Sequence, residues 1–361
     1  MRYSSIDIMR TVAITLMVLV HFMENLSGRD VWNPAGFGAP FFAFLAGVSY
    51  SIWTRSQENK KRSDEHILKV SIRRGLFLIG LGFLFNVLVW LPEDTFNWDV
   101  LTYIGSALLV LSLMRNLPPV VILLAAATFC LASPFLQKLA EYPEYWTEGY
   151  FQYDLTLSDV LIGYLVTGYF PLFPWLALPL IGFTVGKYML NGKEFQSERT
   201  LRIGITGATF IALSFVLQAI HSYLPQQMVI NPIKAWTMFP ASLAYLAGTI
   251  GMTLFSLSLL HTFVDQNPKW NCGNPVIQVA STFSPHSLTV YLLHQIVHIW
   301  PLWIYGVIQG KDIDFYWGQA FEVTYSIPLA AIFMILCYFF LRWLDRTGRH
   351  GVEYWMRWIC D

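Results

Sequence analysis

Residues 5–25 read SIDIMRTVAITLMVLVHFMEN. The stretch between the charged residues, Thr11 to Met23, is 13 residues long and contains His21. As a helix it spans roughly 20 Å, short of the roughly 30 Å of a bilayer's hydrocarbon core. Some of Asp7, Arg10, His21 and Glu24 therefore lie at membrane depth, where ionisable groups are costly and turn toward a polar interior. Their spacing says which way they turn. With Arg10 at zero and about 100° per residue, His21 falls near +20°, Asp7 near +60° and Glu24 near −40°. All four share one stripe, and Val12, Leu16, Leu19 and Val20 hold the opposite face.

The rest of the chain repeats the apolar pattern. Of 361 residues, 55% are hydrophobic, 16% aromatic and only 13% charged, with 23 basic residues balancing 23 acidic ones. Mean hydropathy is +0.48. A soluble domain carries about 25% charged residues. This composition excludes a disordered chain, a basic nucleic-acid binder and a disulfide-stapled secreted module. Spans of bilayer length are expected near 8–27, 37–54, 75–91, 99–115, 118–134, 171–190, 201–221, 239–264, 286–308 and 319–343. The fold expected is all-α, a polytopic integral membrane protein of about ten transmembrane helices. Segment 155–175 reads either as re-entrant or as part of a span.

Charge placement supplies the topology. An even number of spans leaves both termini on one side. Nineteen of the 23 Lys and Arg then fall on the terminal side, and Arg29, Lys138, Lys234 and Lys311 on the other. The positive-inside rule makes both termini cytoplasmic. The first span has no small-x-small cleavage pattern after it and reads as a retained anchor. Cys130, Cys272, Cys337 and Cys360 are scattered and imply neither a disulfide framework nor a zinc site. The whole chain, 1–361, reads as a single transmembrane domain, with 343–361 a cytoplasmic amphipathic tail at the interface. Residues 55–74 read as a basic cytoplasmic loop along the membrane face. The external loop 135–158 is acidic and aromatic.

Arg10 and His21 are 11 residues apart, about 16 Å along a helix axis. A phosphopantetheine arm has comparable reach. Arginine binds phosphate bidentately, and histidine takes a proton from an amine or hydroxyl at neutral pH. Phosphate held at Arg10 would deliver a thioester to His21, with Glu24 one turn on to orient the ring. The bland alternative is a topology-setting arginine and a packed histidine. One shared stripe favours the functional reading.

Arg10, ten intervening residues, then His21 resembles the R-x10-H motif of the acyltransferase family 3 membrane proteins. SIDIMRTVAITLMVLVHF, GAPFFAFLAGVSYSIW (38–53), GYFPLFPWLALPLIGFTVGK (168–187) and SLTVYLLHQIV (287–297) resemble bacterial relatives of heparan-α-glucosaminide N-acetyltransferase. The resemblance implies a ten- or eleven-helix acyltransferase. It would move an acyl group, usually acetyl, from cytosolic acyl-CoA to a sugar amine or hydroxyl across the membrane. In the animal N-acetyltransferases the implicated histidine lies in the first external loop, near a Trp-Asn pair. Trp32-Asn33 are present here, but no histidine occurs between Phe22 and Glu65. The resemblance therefore points to His21, and the absence of the animal proteins' extra luminal domain to a prokaryotic form in the cytoplasmic membrane.

The expected catalytic group is His21, Glu24, Arg10 and Asp7. Arg10, Lys69, Arg73, Arg74 and Ser49 are candidates for acetyl-CoA, the co-substrate. Trp175, His294, Trp32 and Asn33 are candidates for the acceptor. Gly47 and Ser49 in FLAGVS allow close helix approach, the commoner role for such residues. Pro171 and Pro174 break a helix and free backbone groups, and Trp175 either faces the acceptor or sits at the interface. His294 and His298, one turn apart, could take a metal, but no third ligand is evident and none is expected to bind. His294 either lines the His21 cavity or makes a polar contact between helices. Expected partners are membrane lipid, acyl-CoA and an extracytoplasmic carbohydrate, with no nucleic acid; a homodimer is left open. The rival reading is a secondary transporter of a polar solute using the same buried stripe. Such transporters are built from two related halves, and this chain shows no internal repeat.

Overall fold

The computed structural model describes residues 2–28, 36–147, 149–189, 197–223, 236–267, 269–270 and 273–361. Among the described residues the fold is all-α apart from one two-stranded hairpin. The helices are α1 (Ser4–Ser27), α2 (Gly38–Asn59), α3 (Asp64–Val89), α4 (Val100–Met114), α5 (Pro119–Leu139), α6 (Leu157–Ile162), α7 (Leu172–Trp175), α8 (Ala177–Met189), α9 (Ser197–Tyr223), α10 (Leu243–Leu260), α11 (Pro275–Phe283), α12 (Ser287–Ile308), α13 (Val323–Thr347) and α14 (Val352–Cys360).

All ten expected spans hold a helix. Among the described residues, seven stretches are long and apolar enough to cross a membrane: α1, α3, α5, Leu157–Met189, α9, Leu243–Asp265 and α13. The other three expected spans form differently. α4 is apolar but has 15 residues. α2 and α12 have 22 each and carry polar groups, among them Arg55, Gln57 and Glu58, and His294, Gln295 and His298.

The helix ends follow local chemistry. The Ser63 hydroxyl accepts the His66 backbone N–H at 3.2 Å, and Asp64 and Glu65 sit at the positive end of α3. The Glu65 carboxylate pairs with Lys69 at 2.6 Å. Helices α2 and α3 thus take up both ends of segment 55–74, and the long basic loop read there shrinks to residues 60–63. The caps of α4, α10 and α11 are Asp99, Ser242 and Asn274.

The chain forms two compact units, residues 1–39 with 263–359 and 361, and residues 40–262 with 360. In the second, α3 packs on α4, α5 on α8 and α9 on α10. Tyr50, Leu111, Ile122, Leu180 and Phe183 fill its core. A Cβ at Gly47 would collide with the Pro179 carbonyl, and one at Gly182 with the Phe44 carbonyl. The two glycines let α2 and α8 meet backbone to backbone. Leu124, Leu131 and Phe135 of α5 are exposed, as are Leu201, Ile205 and Phe215 on α9, which is the lipid-facing character a membrane helix needs.

Segment 155–175 is a broken helix. After α6 comes a five-residue π turn, Gly163–Thr167, then an extended stretch to Pro171. Phe173 is non-helical and the Phe173–Pro174 bond is cis. The freed groups are used: Tyr169 and Phe170 donate their N–H groups to the carbonyls of Asn97 and Trp98. In the loop 135–158, α5 runs on to Leu139, and Trp146–Thr147 pairs with Tyr150–Phe151.

In the first unit α1 packs against α11, α12 and α13. It ends at Gly28, whose φ of 60° suits glycine. The N–H groups of Gly318 and Phe321 satisfy the Asn25 and Leu26 carbonyls at 2.8 and 2.9 Å. At the other end of the unit the Glu353 carboxylate, 7% exposed, accepts the Thr289 N–H at 2.8 Å and its hydroxyl at 2.6 Å. Thr289 lies in the first turn of α12, so the last helix of the chain caps the helix that carries His294.

Candidate functional site: the polar seam between α1 and α12

The stripe on α1 faces residues 280–298. Starting from the N-terminus, the Arg2 Nε donates to Asp7 at 2.5 Å. Arg2 also reaches the Ser281 carbonyl at 2.9 Å. The Ser5 N–H and hydroxyl bind the two oxygens of Asp265 at 3.0 and 2.5 Å. Arg10 Nη1 donates to the Ser284 hydroxyl at 2.8 Å and to its carbonyl at 3.2 Å. Ser284 begins the single 3-10 turn, Ser284–His286, that joins α11 to α12.

Three turns further along α1 the partners become histidines. His21 Nδ1 lies 2.8 Å from His294 Nε2, and the two rings stack at 5.1 Å. The Gln295 amide nitrogen reaches the same His21 Nδ1 at 2.9 Å. Asn25, one turn beyond His21, donates from Nδ2 to Gln295 Oε1 at 3.2 Å and to His298 Nε2 at 2.8 Å. His298 Nδ1 donates to the His294 carbonyl, and His294 Nδ1 lies 3.3 Å from the Val290 carbonyl. His294 and Gln295 have no exposed surface, and Asn25 and His298 are 5% exposed. Helical spacing explains the assembly: Asn25 follows His21 by four, and His298 follows His294 by four.

Asp7, Arg10, His21 and Glu24 all lie on α1, as the spacing requires. The ring of His21 is held by His294 and Gln295. His294 belongs to the His21 site. Both nitrogens of His298 are engaged by Asn25 and a backbone carbonyl, which argues against the His294–His298 metal pair. Sequence reasoning missed Asn25 and Gln295. The available signal was their place beside the two histidines, i+4 from His21 and i+1 from His294.

The second unit holds the other candidates. Lys69 is exposed and paired with Glu65. Arg73 is exposed, and Arg74 lies over the Trp53 ring at 4.8 Å. The Ser49 hydroxyl turns back to the Leu45 carbonyl at 2.5 Å. Trp175 is 1% exposed and its carbonyl accepts the Tyr103 hydroxyl at 2.7 Å, so it does not take the interfacial position. An unforeseen cation, Arg115, is 5% exposed and binds the Asp64 carbonyl and carboxylate at 3.0 and 2.8 Å. Lys187 donates to the Arg115 carbonyl at 2.5 Å. Trp32 and Asn33 lie outside the described residues.

Long apolar helices with a half-buried arginine and three clustered histidines define a polytopic membrane protein with acid–base groups in its interior. Residues 2–216 match the family model described as heparan-alpha-glucosaminide N-acetyltransferase, catalytic, and the chain belongs to that family. It is an acetyltransferase of the membrane. No curated protein matches the chain. The match covers α1 but ends before α12, so it includes Arg10 and His21 and leaves out His294, Gln295 and His298.

Proposed function

We propose that the protein carries an acetyl group from cytosolic acetyl-CoA to an amine or hydroxyl of a carbohydrate on the far side of the membrane. The observation that carries this reading is the contact of His21 with His294 at one end of a half-buried polar seam, with Arg10 at the other. The chain acts as one catalytic domain of ten spans with both termini cytoplasmic, in the cytoplasmic membrane of a prokaryote.

Arg10 steers the CoA phosphates, and Lys69, Arg73 and Arg74 are further cytoplasmic candidates for phosphate. About 16 Å along α1, the thioester meets His21. The acceptor nitrogen or oxygen attacks the thioester carbon, its proton passes to His21, and CoA leaves as the thiol. In the stepwise variant the acetyl group rests on the His21 ring before transfer. Both routes need one imidazole nitrogen open. Among the described residues the network uses only Nδ1, which supports Nε2 as the working atom. Asp7 and Glu24 complete the charged seam, and Trp175, Trp32 and Asn33 belong to the acceptor side.

The test is transfer of radiolabelled acetyl from acetyl-CoA to amino sugars by purified protein in lipid. His21→Ala is expected to lower turnover by about 10²–10⁴-fold, the usual worth of general base catalysis. Arg10→Ala is expected mainly to raise KM for acetyl-CoA. Full activity in His21→Ala overturns the mechanism. A wild-type protein that binds no CoA but moves a polar solute points to the transporter instead.

A further inference from the structure

We infer that Gln295, Asn25 and His298 are positioning residues that set which ring nitrogen of His21 carries the proton. The inference rests on the reading of His21 as the reacting group. It follows from counting donors and acceptors along the seam.

The count starts at a fixed point. His298 Nδ1 faces the His294 carbonyl, which only accepts, so that nitrogen carries a proton. With His298 neutral, its Nε2 is an acceptor and takes an N–H from Asn25. The second N–H of Asn25 goes to Gln295 Oε1. This leaves the Gln295 amide nitrogen facing His21 and donating to Nδ1. His21 Nδ1 is then an acceptor and its proton sits on Nε2. In this polarity His21 meets substrate as a donor, and His294 supplies the proton between the two rings.

The opposite polarity is continuous as well: it places a second proton on His298 and relieves the contact of a bare His294 Nδ1 with the Val290 carbonyl that the first polarity leaves. A second proton on His298 turns Nε2 into a donor. Asn25 and Gln295 then rotate their amides by half a turn, which exchanges oxygen and nitrogen at each contact. Asn25 Oδ1 accepts from His298 and from Gln295, and Gln295 Oε1 accepts from His21 Nδ1–H. His294 Nε2 accepts from the same N–H while its Nδ1 donates toward the Val290 carbonyl, 3.3 Å away. His21 Nε2 now carries a lone pair and can act as the base. The two ends are coupled: a neutral His298 goes with His21 protonated on Nε2, and a doubly protonated His298 with His21 open at Nε2. Amides buried this deeply pass such an alternation on, because each mismatched donor or acceptor lacks water to turn to.

The experiment reads the His21 tautomer directly, by ¹⁵N NMR of histidine-labelled protein in lipid, with His21 assigned by comparison with His21→Gln. Asn25→Asp offers only acceptors to His298 and Gln295. It should turn the Gln295 amide and move the His21 proton from Nε2 to Nδ1, although the side chain of residue 25 makes no hydrogen bond to the His21 ring. Gln295→Leu should abolish that transmission, so Asn25→Asp/Gln295→Leu should not show the Asn25→Asp shift. Gln295→Glu should pin the Nδ1–H form whether or not Asn25→Asp folds. Each single variant should change kcat by about tenfold or more with KM for acetyl-CoA within about twofold, as for groups acting on the transition state alone. A His21 tautomer unchanged in both Asn25→Asp and Gln295→Glu overturns the inference. So does an equal shift in the double variant. The NMR result needs no turnover, so it stands apart from the His21→Ala assay that tests the acyltransfer reading.

Discussion

Replacing Glu353 by alanine tests whether the last helix of the chain clamps the helix that carries half of the site. The carboxylate is buried and takes both the N–H and the hydroxyl of Thr289, while the Val352 N–H donates to the Thr289 hydroxyl oxygen at 2.9 Å. Alanine leaves the Thr289 N–H without its acceptor, a loss of about 1–3 kcal/mol for a buried donor. The lost charge at the start of α12 adds up to about 2 kcal/mol in a partly buried setting. The two terms share atoms and do not add fully, so the expected loss is about 2–4 kcal/mol. At about 1.4 kcal/mol per factor of ten, release of the tail becomes about 30- to 700-fold more frequent. Trypsin cleavage after Arg349, measured under conditions where reclosing outpaces cutting, reads that population. Glu353→Gln keeps an acceptor for the N–H and presents a donor to the hydroxyl oxygen, so it should cost only about 1 kcal/mol, one ordinary hydrogen bond. Cleavage of Glu353→Ala at the wild-type rate would refute the clamp.

Two further outcomes follow from other parts of the fold. Gly47→Leu should destabilise the protein by at least about 1–3 kcal/mol through overpacking at the α2–α8 contact, whereas Gly80→Ala, with open space around it, should be neutral or stabilising; equal melting temperatures for the two would remove the argument for close approach. Asp94, in the loop between α3 and α4, has its pKa raised chiefly by burial, with Glu93 adding to the rise and Asn97 opposing it. A raised carboxylate favours the protonated folded state, so its contribution is best below the unfolded pKa and is lost as pH climbs through the folded one. Asp94→Asn should therefore stabilise the protein at neutral pH and flatten the acid end of the stability profile, and a wild-type pH profile in the variant would count against this.

Much of the architecture was legible because the bilayer imposes one length and one polarity on each span. The ten helical positions came from hydropathy, and the seam on α1 came from 100° spacing alone. What the residues could not disclose was the register of one helix on another. His294 was readable as a buried histidine, but its contact with His21 depends on how α12 lies against α1, 273 positions away. Asn25 and Gln295 were invisible for the same reason, since an amide inside a helix signals nothing until its partner is known. Trp175 left two readings open because tryptophan beside a helix break is common at membrane interfaces, and here the side chain is packed inward. Arg115 was hidden among topology-setting charges, although it is buried and paired with Asp64.

The distance in sequence between the two halves of the seam has a consequence for biosynthesis. His21 and His294 are 273 residues apart, and Arg10 and Ser284 are 274. At about 5–20 residues per second, a ribosome takes roughly 14–55 s to produce the second half after the first. For that interval α1 lies in or beside the membrane with its arginine and histidine still lacking the partners that satisfy them, and ionisable groups in that position are poorly tolerated. The nascent chain must keep α1 close to the insertion machinery or near water until α12 emerges. A truncated chain ending before residue 284 should leave α1 loosely inserted, and the arrival of α12 is what commits it to its final depth.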